Sequence, residues 1–386
     1  PAGELVGKIL GQMGAEVVKI EPLGGSPTRH VGPYKNGEPD IEHSLSFWFY
    51  NAGKHSAELD YDAVGFADRL ADLTAQADVV VSTLPFQRCQ ELGVSYDTLL
   101  EHNPRLCIVS ITPFGLSGPW RDWVSSDLVS MSLGGALHSC GYDDHSIPPI
   151  RPGGDQSFHS AASFALISLG IGLIEREASG LGQIFDLSIH DSVAVLPELA
   201  NPFWFYPKAV IHRQTCRHAQ PSPTSPTAFL CSDGRYVYFL LRNADNRQWR
   251  KCVELLTRYN LQVDLGEPVW DEFEYRRDNY WHIQEVLEVF FLLNDSNQIY
   301  REAQQMGLPM GRVNAPEDLL VDPHLLEREF FDTIEDLDGD PAVYPGPPYR
   351  VTGVEPRPTT RAPRLDEHNA EVLELTLRDP LIGSDA

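Results

Sequence analysis

Only six cysteines occur in the 386 residues, at positions 89, 107, 140, 216, 231 and 252, and none stands in a CxxC pair or beside paired histidines. That scatter argues against a zinc ribbon and against a disulfide framework. The thiols read as reduced, structural groups of a cytoplasmic protein, with no metal site expected. Positive charge is scarce too: 30 Lys and Arg stand against 55 Asp and Glu, for a formal charge of -25. Such a surface repels phosphate backbones and anionic lipid, so neither nucleic acid nor a membrane is an expected partner. An anionic ligand would need a local basic pocket. Long apolar runs are also missing; the most apolar stretch, Ala161 to Ile174, is short for a bilayer and carries Ser and Gly. Neither a secretory leader nor a methionine opens the chain. Pro1 stands almost against a helix, so the natural N-terminus is expected further upstream.

The familiar phosphate-binding and nucleophile motifs are missing as well. No GxGxxG follows a strand, which disfavours a dinucleotide site. NAGKHS has a Gly-Lys pair without the earlier glycine or the Ser/Thr of a P-loop. FGLSGPW lacks the G-x-S-x-G frame of a nucleophile elbow and reads as a Gly-Pro turn around Ser117. His138, His145, His159 and His190 have no ligand spacing.

Alternating helices and strands are what remains. ELVGKILGQMG is an amphipathic helix closed by Gly14, and AEVVKIE is a buried strand. The unit recurs as AVGFADRLADLTAQ before ADVVVSTL, and as YDTLLEHN before RLCIVSIT. Short β-branched strands between helices predict an α/β, Rossmann-like parallel sheet, with ligands expected in the loops after the strands. A long helix is predicted from about 156 to 177, then the strand IFDLSI and a helix from about Asp191. Residues 201–227 read as an irregular Pro- and aromatic-rich connection whose cluster Phe203, Trp204, Phe205 and Tyr206 suits aromatic core packing better than an acyl pocket. GRYVYFLL is a hairpin strand, helices are expected near 244–259, 278–292 and 296–306, and GRVN is a short strand. APEDLLVDPHLLEREFF is a helix pair broken at Pro323. The chain then runs Pro-rich and extended before a last helix, EHNAEVLELTL.

One stretch poses a chemical question. In RPGGDQSFHSAASFALISLG, Asp155 follows Gly153 and Gly154 and stands at the mouth of the long helix. An aspartate there is by default an N-cap, worth about 1 kcal/mol. It is also a carboxylate kept ionised by the helix dipole, next to glycines that let backbone approach a reacting carbonyl.

Taken in order, the segments resemble the class III CoA-transferases of the CaiB/BaiF type, a family that includes formyl-CoA transferase and the α-methylacyl-CoA racemases. AGELVGKILGQMGAEVVKIEPLGG is similar to the family's opening, FWFYNAGKHSAELD to its Asn-x-x-Lys-x-Ser segment, and LGVSYDTLLEHNPRLCIVSITPFGLSGPW, EREASGLGQIFDLSIHDSV and GLPMGRVNAPEDLLVDPHLLEREFF follow in family order. The resemblance implies an acyl-CoA:carboxylate CoA-transferase with Asp155 as covalent nucleophile, and coenzyme A bound near Ala2, Arg29, Lys54, Arg88, Gly153 and Gly154. It further implies a large domain from residues 1–200, a linker at 201–227, a smaller α+β domain at 228–325, a return over 326–386 that completes the large domain, and an interlocked homodimer. Racemase members carry a His before the Asp of the SSDLVSM segment; here Ser126 stands there, and a serine is no base near neutral pH. The rival expectations are a non-catalytic relative within a longer protein and, behind it, a racemase.

Overall fold

The computed structural model describes residues 1–197, 199–242, 244–353 and 359–375. They divide into two compact units: Pro1–Ala136 with Pro152–Pro197 and Pro323–Ala386, and Leu137–Arg151 with Glu198–Asp322.

The first unit opens with α1 (Ala2–Gln12), β1 (Val18–Glu21), α2 (Leu45–Asn51), β2 (His55–Glu58), α3 (Phe66–Thr74) and β3 (Val79–Ser82). It continues with α4 (Phe86–Glu91), α5 (Tyr96–His102), β4 (Cys107–Thr112), α6 (Asp127–Leu133), α7 (Gln156–Ser179), β5 (Ile184–Ser188) and α8 (Ile189–Ala194). Every pairing among these strands is parallel, as the βαβ pattern predicts. The pairing comes in two pieces, β1 with β2 and β3–β4–β5, rather than in one continuous sheet. All of β4 is buried, and its Cys107, Val109 and Ile111 pack against Val6 of α1 and Ala161, Ala162, Ala165 and Leu169 of α7. The small residues that made this stretch look a poor membrane span are what let α7 lie close on the sheet. At Gly172 an added Cβ would stand 2.6 Å from the Phe185 ring of β5.

At 24 residues α7 is longer than its apolar core suggested, and by length and composition alone it could cross a bilayer. Its inner face instead covers β4 and β5. Its outer face leaves Phe164, Ile167, Ile171 and Ile174 exposed.

The second unit holds α9 (Ala200–Phe205), β6 (His212–Gln214), β7 (Arg217–Gln220), β8 (Ala228–Leu230), β9 (Tyr236–Phe239), α10 (Asn246–Arg258), α11 (Phe273–Asp278), α12 (Tyr280–Leu292), α13 (Ser296–Gln305), β10 (Met310–Arg312) and α14 (Pro316–Leu319). Its core joins Phe229, Val237 and Phe239 of an antiparallel sheet ordered β10–β9–β8 to Trp249, Phe290 and Phe291 of the helices. The stretch read as irregular contains α9 and the β6–β7 hairpin. Core packing does not describe its aromatics: Trp204, Phe205 and Tyr206 are exposed.

The chain returns to the first unit through α15 (Pro323–Glu327), β11 (Phe331–Glu335), β12 (Pro341–Pro345) and α16 (Asn369–Leu375). Helices α14 and α15 form the expected pair broken at Pro323, α15 ends at Glu327, and a β11–β12 hairpin takes the place of the start of the extended run. Part of that run, 354–358, and the chain from 376 onward lie outside the described residues.

Candidate active site

The site is built at the N-terminus of α7. Gly154 has φ +75°, a conformation open to glycine and strained for an L side chain, and it turns the chain into the helix. Gln156 Nε2 donates to the Gly153 carbonyl at 2.8 Å, which ties the turn to the first residue of α7. Asp155 holds the N-cap position, yet its side chain accepts no capping hydrogen bond from the helix. A second aspartate does that work. Asp127 Oδ1 accepts the backbone N–H of Ser157 at 2.9 Å and the Ser157 hydroxyl at 2.8 Å, both buried. Asp127 is the first residue of α6, whose own N-cap is Ser126; the Ser126 Oγ accepts the Val129 N–H. The neighbouring hydroxyls of Ser125 and Ser130 hydrogen-bond at 2.9 Å.

Helical spacing puts His159 one turn beyond Asp155 on the same side of α7. Its backbone N–H bonds the Asp155 carbonyl at 3.0 Å, and its Nε2 lies 2.8 Å from the Tyr50 hydroxyl. Tyr50 comes from α2, a short helix capped by Ser44, whose Oγ accepts the Phe47 N–H at 3.1 Å. Burial pushes the Tyr50 phenol up to about 12, with the negative charge of Asp155 adding to it and those of Glu4 and Asp127 following. Tyr50 is therefore a neutral hydroxyl within electrostatic reach of both aspartates.

Behind this pair lies a buried polar frame. Glu4 Oε1 on α1 accepts hydrogen bonds from Lys19 Nζ at 2.6 Å, Thr28 Oγ1 at 2.6 Å and Asn51 Nδ2 at 3.2 Å. Lys54 Nζ donates to the Glu4 carbonyl at 2.7 Å and to Asn51 Oδ1 at 2.8 Å. Burial, assisted by the charge of Lys19, pulls the Lys54 amine well below the usual lysine range. Lys54 is thus part of the wall and not a free cation facing a phosphate.

Arg29 departs further from the expected free cation. It is fully buried, and Nε and both terminal nitrogens donate to Glu21, Glu42, the Ile41 and Pro363 carbonyls. All five of its N–H groups are committed to protein acceptors. Burial pushes the Glu21 carboxyl up, but the hydrogen bonds and charge of Arg29 outweigh it and hold the group at about 2. Arg88 alone of the three cations is only half-buried, on α4, where it pairs with Asp62 at 2.7 Å and Glu91 at 3.1 Å. Ala2 is buried as the first residue of α1, and Gly153 lies in the exposed turn before Asp155.

Two groups of potential metal ligands occur among the described residues. His55, His368 and Glu371 form one; Asp336, Asp338 and Asp340 form the other and enclose the Lys35 ammonium at 2.7, 2.9 and 2.8 Å.

The family model described as "CoA-transferase family III" matches residues 1–369. The chain belongs to CoA-transferase family III. Among curated family III relatives, it is 28% identical to the succinyl-CoA:(R)-benzylsuccinate CoA-transferase subunit BbsE of Thauera aromatica, over 96% of this chain and 90% of that one. It is likewise 28% identical to a succinyl-CoA:mesaconate CoA-transferase of Haloarcula hispanica, over 97% and 92%. A crystal structure of a CaiB/BaiF family protein from Brucella suis matches the fold with a TM-score of 0.82 at 23% identity, covering 97% of this chain and 95% of that one. The α/β architecture with parallel sheets is therefore that of the family.

Reading the sequence singled out Asp155 and its glycines but passed over Tyr50 and gave His159 no role. The four-residue spacing from Asp155 to His159 was the available signal. Nothing in the linear sequence marks Asp127 as the group that caps α7.

Proposed function

We propose that this family III chain is an acyl-CoA:carboxylate CoA-transferase in which Asp155 is the covalent nucleophile. The observation that carries the reading is the division of labour at α7: Asp127 bonds the helix N–H, so the Asp155 carboxylate is left out of the cap while still lying at the positive end of the dipole.

In this reading Asp155 attacks the thioester carbonyl. The C–S bond breaks, the thiolate leaves, and the side chain becomes one half of a mixed anhydride. The returning thiolate attacks the aspartyl carbonyl, releases the first carboxylate and leaves Asp155 as a thioester. An incoming carboxylate then repeats the two steps in reverse. No net proton transfer is needed at any of these steps. Oxyanions form at each step; a backbone N–H aimed at one contributes roughly 3 kcal/mol, and the flexible Gly153–Gly154 backbone is our candidate donor. The neutral Tyr50 hydroxyl, oriented by His159, is a further donor within the site. For the coenzyme, Arg88 is the half-buried cation proposed to meet phosphate, while Ala2, Arg29 and Lys54 shape the wall.

Several relatives are named for dicarboxylic groups, succinyl with benzylsuccinate, mesaconate, D-citramalate or glutarate, and others for formyl and oxalate. We propose a dicarboxylyl-CoA donor here as well. Racemisation is disfavoured because the residue at the racemase histidine position, Ser126, is a helix cap.

The exposed stripe of Phe164, Ile167, Ile171 and Ile174 along α7 supports a homodimer, since four large apolar side chains on one helix face call for a protein cover. Six unpaired cysteines support a reducing, cytoplasmic setting. The test is a panel of acyl-CoA donors and carboxylate acceptors read by mass spectrometry, with Asp155→Asn as control. Transfer by the parent chain, lost in the variant, supports the reading; transfer retained in the variant overturns it.

A further inference from the structure

Lys8 is a charged side chain that has no counterion among the described residues. It lies one turn past Glu4 on α1 and is 6% exposed. Its ammonium makes no hydrogen bond or ion pair among the described residues. The contact it does make is with an aromatic face, 3.6 Å from the centroid of Phe49. Every other buried cation around it is satisfied: Lys54 by Asn51 and the Glu4 carbonyl, Arg29 by Glu21 and Glu42. The Lys8 ammonium is thus left with a ring and solvent, and an acceptor from outside can take the place of water there. Burial pulls this amine down to about 8, so at neutral pH it still carries its charge for most of the time.

Its position says what that acceptor is. Lys8 lies on α1 with its ammonium over Phe49 of α2, and its charge is felt by the neighbouring Lys54. Phe49 rests edge-to-face on Tyr50, ring centroids 5.0 Å apart, and Tyr50 is bonded to His159, one turn from Asp155. A line of rings thus joins the orphan ammonium to the proposed nucleophile. An apolar chain lying along Phe49 with an anion at its far end would meet both features. A single ammonium with three donors suits a carboxylate, whereas a dianionic phosphate calls for several cations.

We propose that Lys8 is the specificity-determining cation for the distal carboxylate of a dicarboxylyl group, with Phe49 as the floor under its methylene chain. This rests on the transferase reading above and deepens it by naming the residue that selects diacids over monoacids.

The test compares succinyl-CoA with butyryl-CoA, both as binding constants by calorimetry in the Asp155→Asn background and as kcat/KM with one common acceptor. Lys8→Met should weaken succinyl-CoA binding and kcat/KM about tenfold or more while leaving butyryl-CoA within about twofold, and Lys8→Arg should recover part of the loss. The Tm of Lys8→Met should not fall, because Lys8 makes no ion pair or hydrogen bond among the described residues that the change would remove and Met is an apolar chain of similar length. A succinyl-to-butyryl ratio unchanged by Lys8→Met overturns the assignment, as does an equal loss with both donors. If the parent chain transfers neither acyl group, the transferase reading fails, and the calorimetric ratio still decides the role of Lys8.

Discussion

Asp127 on α6 accepts the buried N–H of Ser157 on α7 at 2.9 Å, and so caps a helix to which it does not belong. The residue at the cap position proper, Asp155, makes no side-chain capping bond to α7. Because Asp127 also accepts the Ser157 hydroxyl, Asp127→Ala leaves two buried donors without their acceptor. Loss of a cap costs about 1–2 kcal/mol, so Asp127→Ala should unfold at lower denaturant with an unchanged m-value. Its kcat should fall as well, because the turn that presents Asp155 loses its anchor. Asp127→Asn keeps an acceptor oxygen and should be milder in both respects.

The two glycines before Asp155 should respond differently to alanine. At Gly154 the backbone has φ +75°, where a Cβ is strained by roughly 1 kcal/mol. At Gly153 a Cβ would meet nothing within 4 Å. Gly154→Ala should therefore lower both Tm and turnover, and Gly153→Ala should leave Tm unchanged. Thermal melts alongside initial rates check the contrast; equal Tm losses would contradict it.

Arg29 and Glu21 form a buried pair at 2.9 Å. Removing one partner strands the other charge, typically at a cost of about 3–5 kcal/mol. Arg29→Met should accordingly be among the most destabilising single changes in the first unit, measured by urea unfolding. A loss of CoA affinity with stability intact would instead return Arg29 to the phosphate contact expected from the sequence.

The same pair sets an acid limit. Glu21 is held at about 2 in the folded chain, below its ordinary value of 4.5. A depressed carboxyl stabilises fully above the unfolded value, and that stabilisation is lost as pH falls from about 4.5 toward 2. Stability followed from pH 6 downward should drop through that window, and Glu21→Gln, though less stable at pH 6, should show a shallower drop.

Patterns that repeat locally were legible without coordinates. The βαβ alternation gave parallel pairing, and the glycines before Asp155 marked the turn into α7. What escaped reading was whatever depends on residues far apart in the chain. The Asp127–Ser157 bond joins positions 30 apart, and the Tyr50–His159 bond joins positions 109 apart. Arg29 read as a coenzyme A contact because Glu21 and Glu42, the carboxylates that close around it, meet it only in the fold. The aromatics near Trp204 looked like core because their size favours burial, yet the second unit leaves them exposed.

The most direct test of the account is to incubate the chain with succinyl-CoA and hydroxylamine and then map the peptide spanning 151–170 by mass spectrometry. The account predicts a hydroxamate at Asp155, formed in step with loss of activity and absent without the thioester. An unmodified Asp155 in a chain that is transferring CoA, or full turnover by Asp155→Ala, would contradict it.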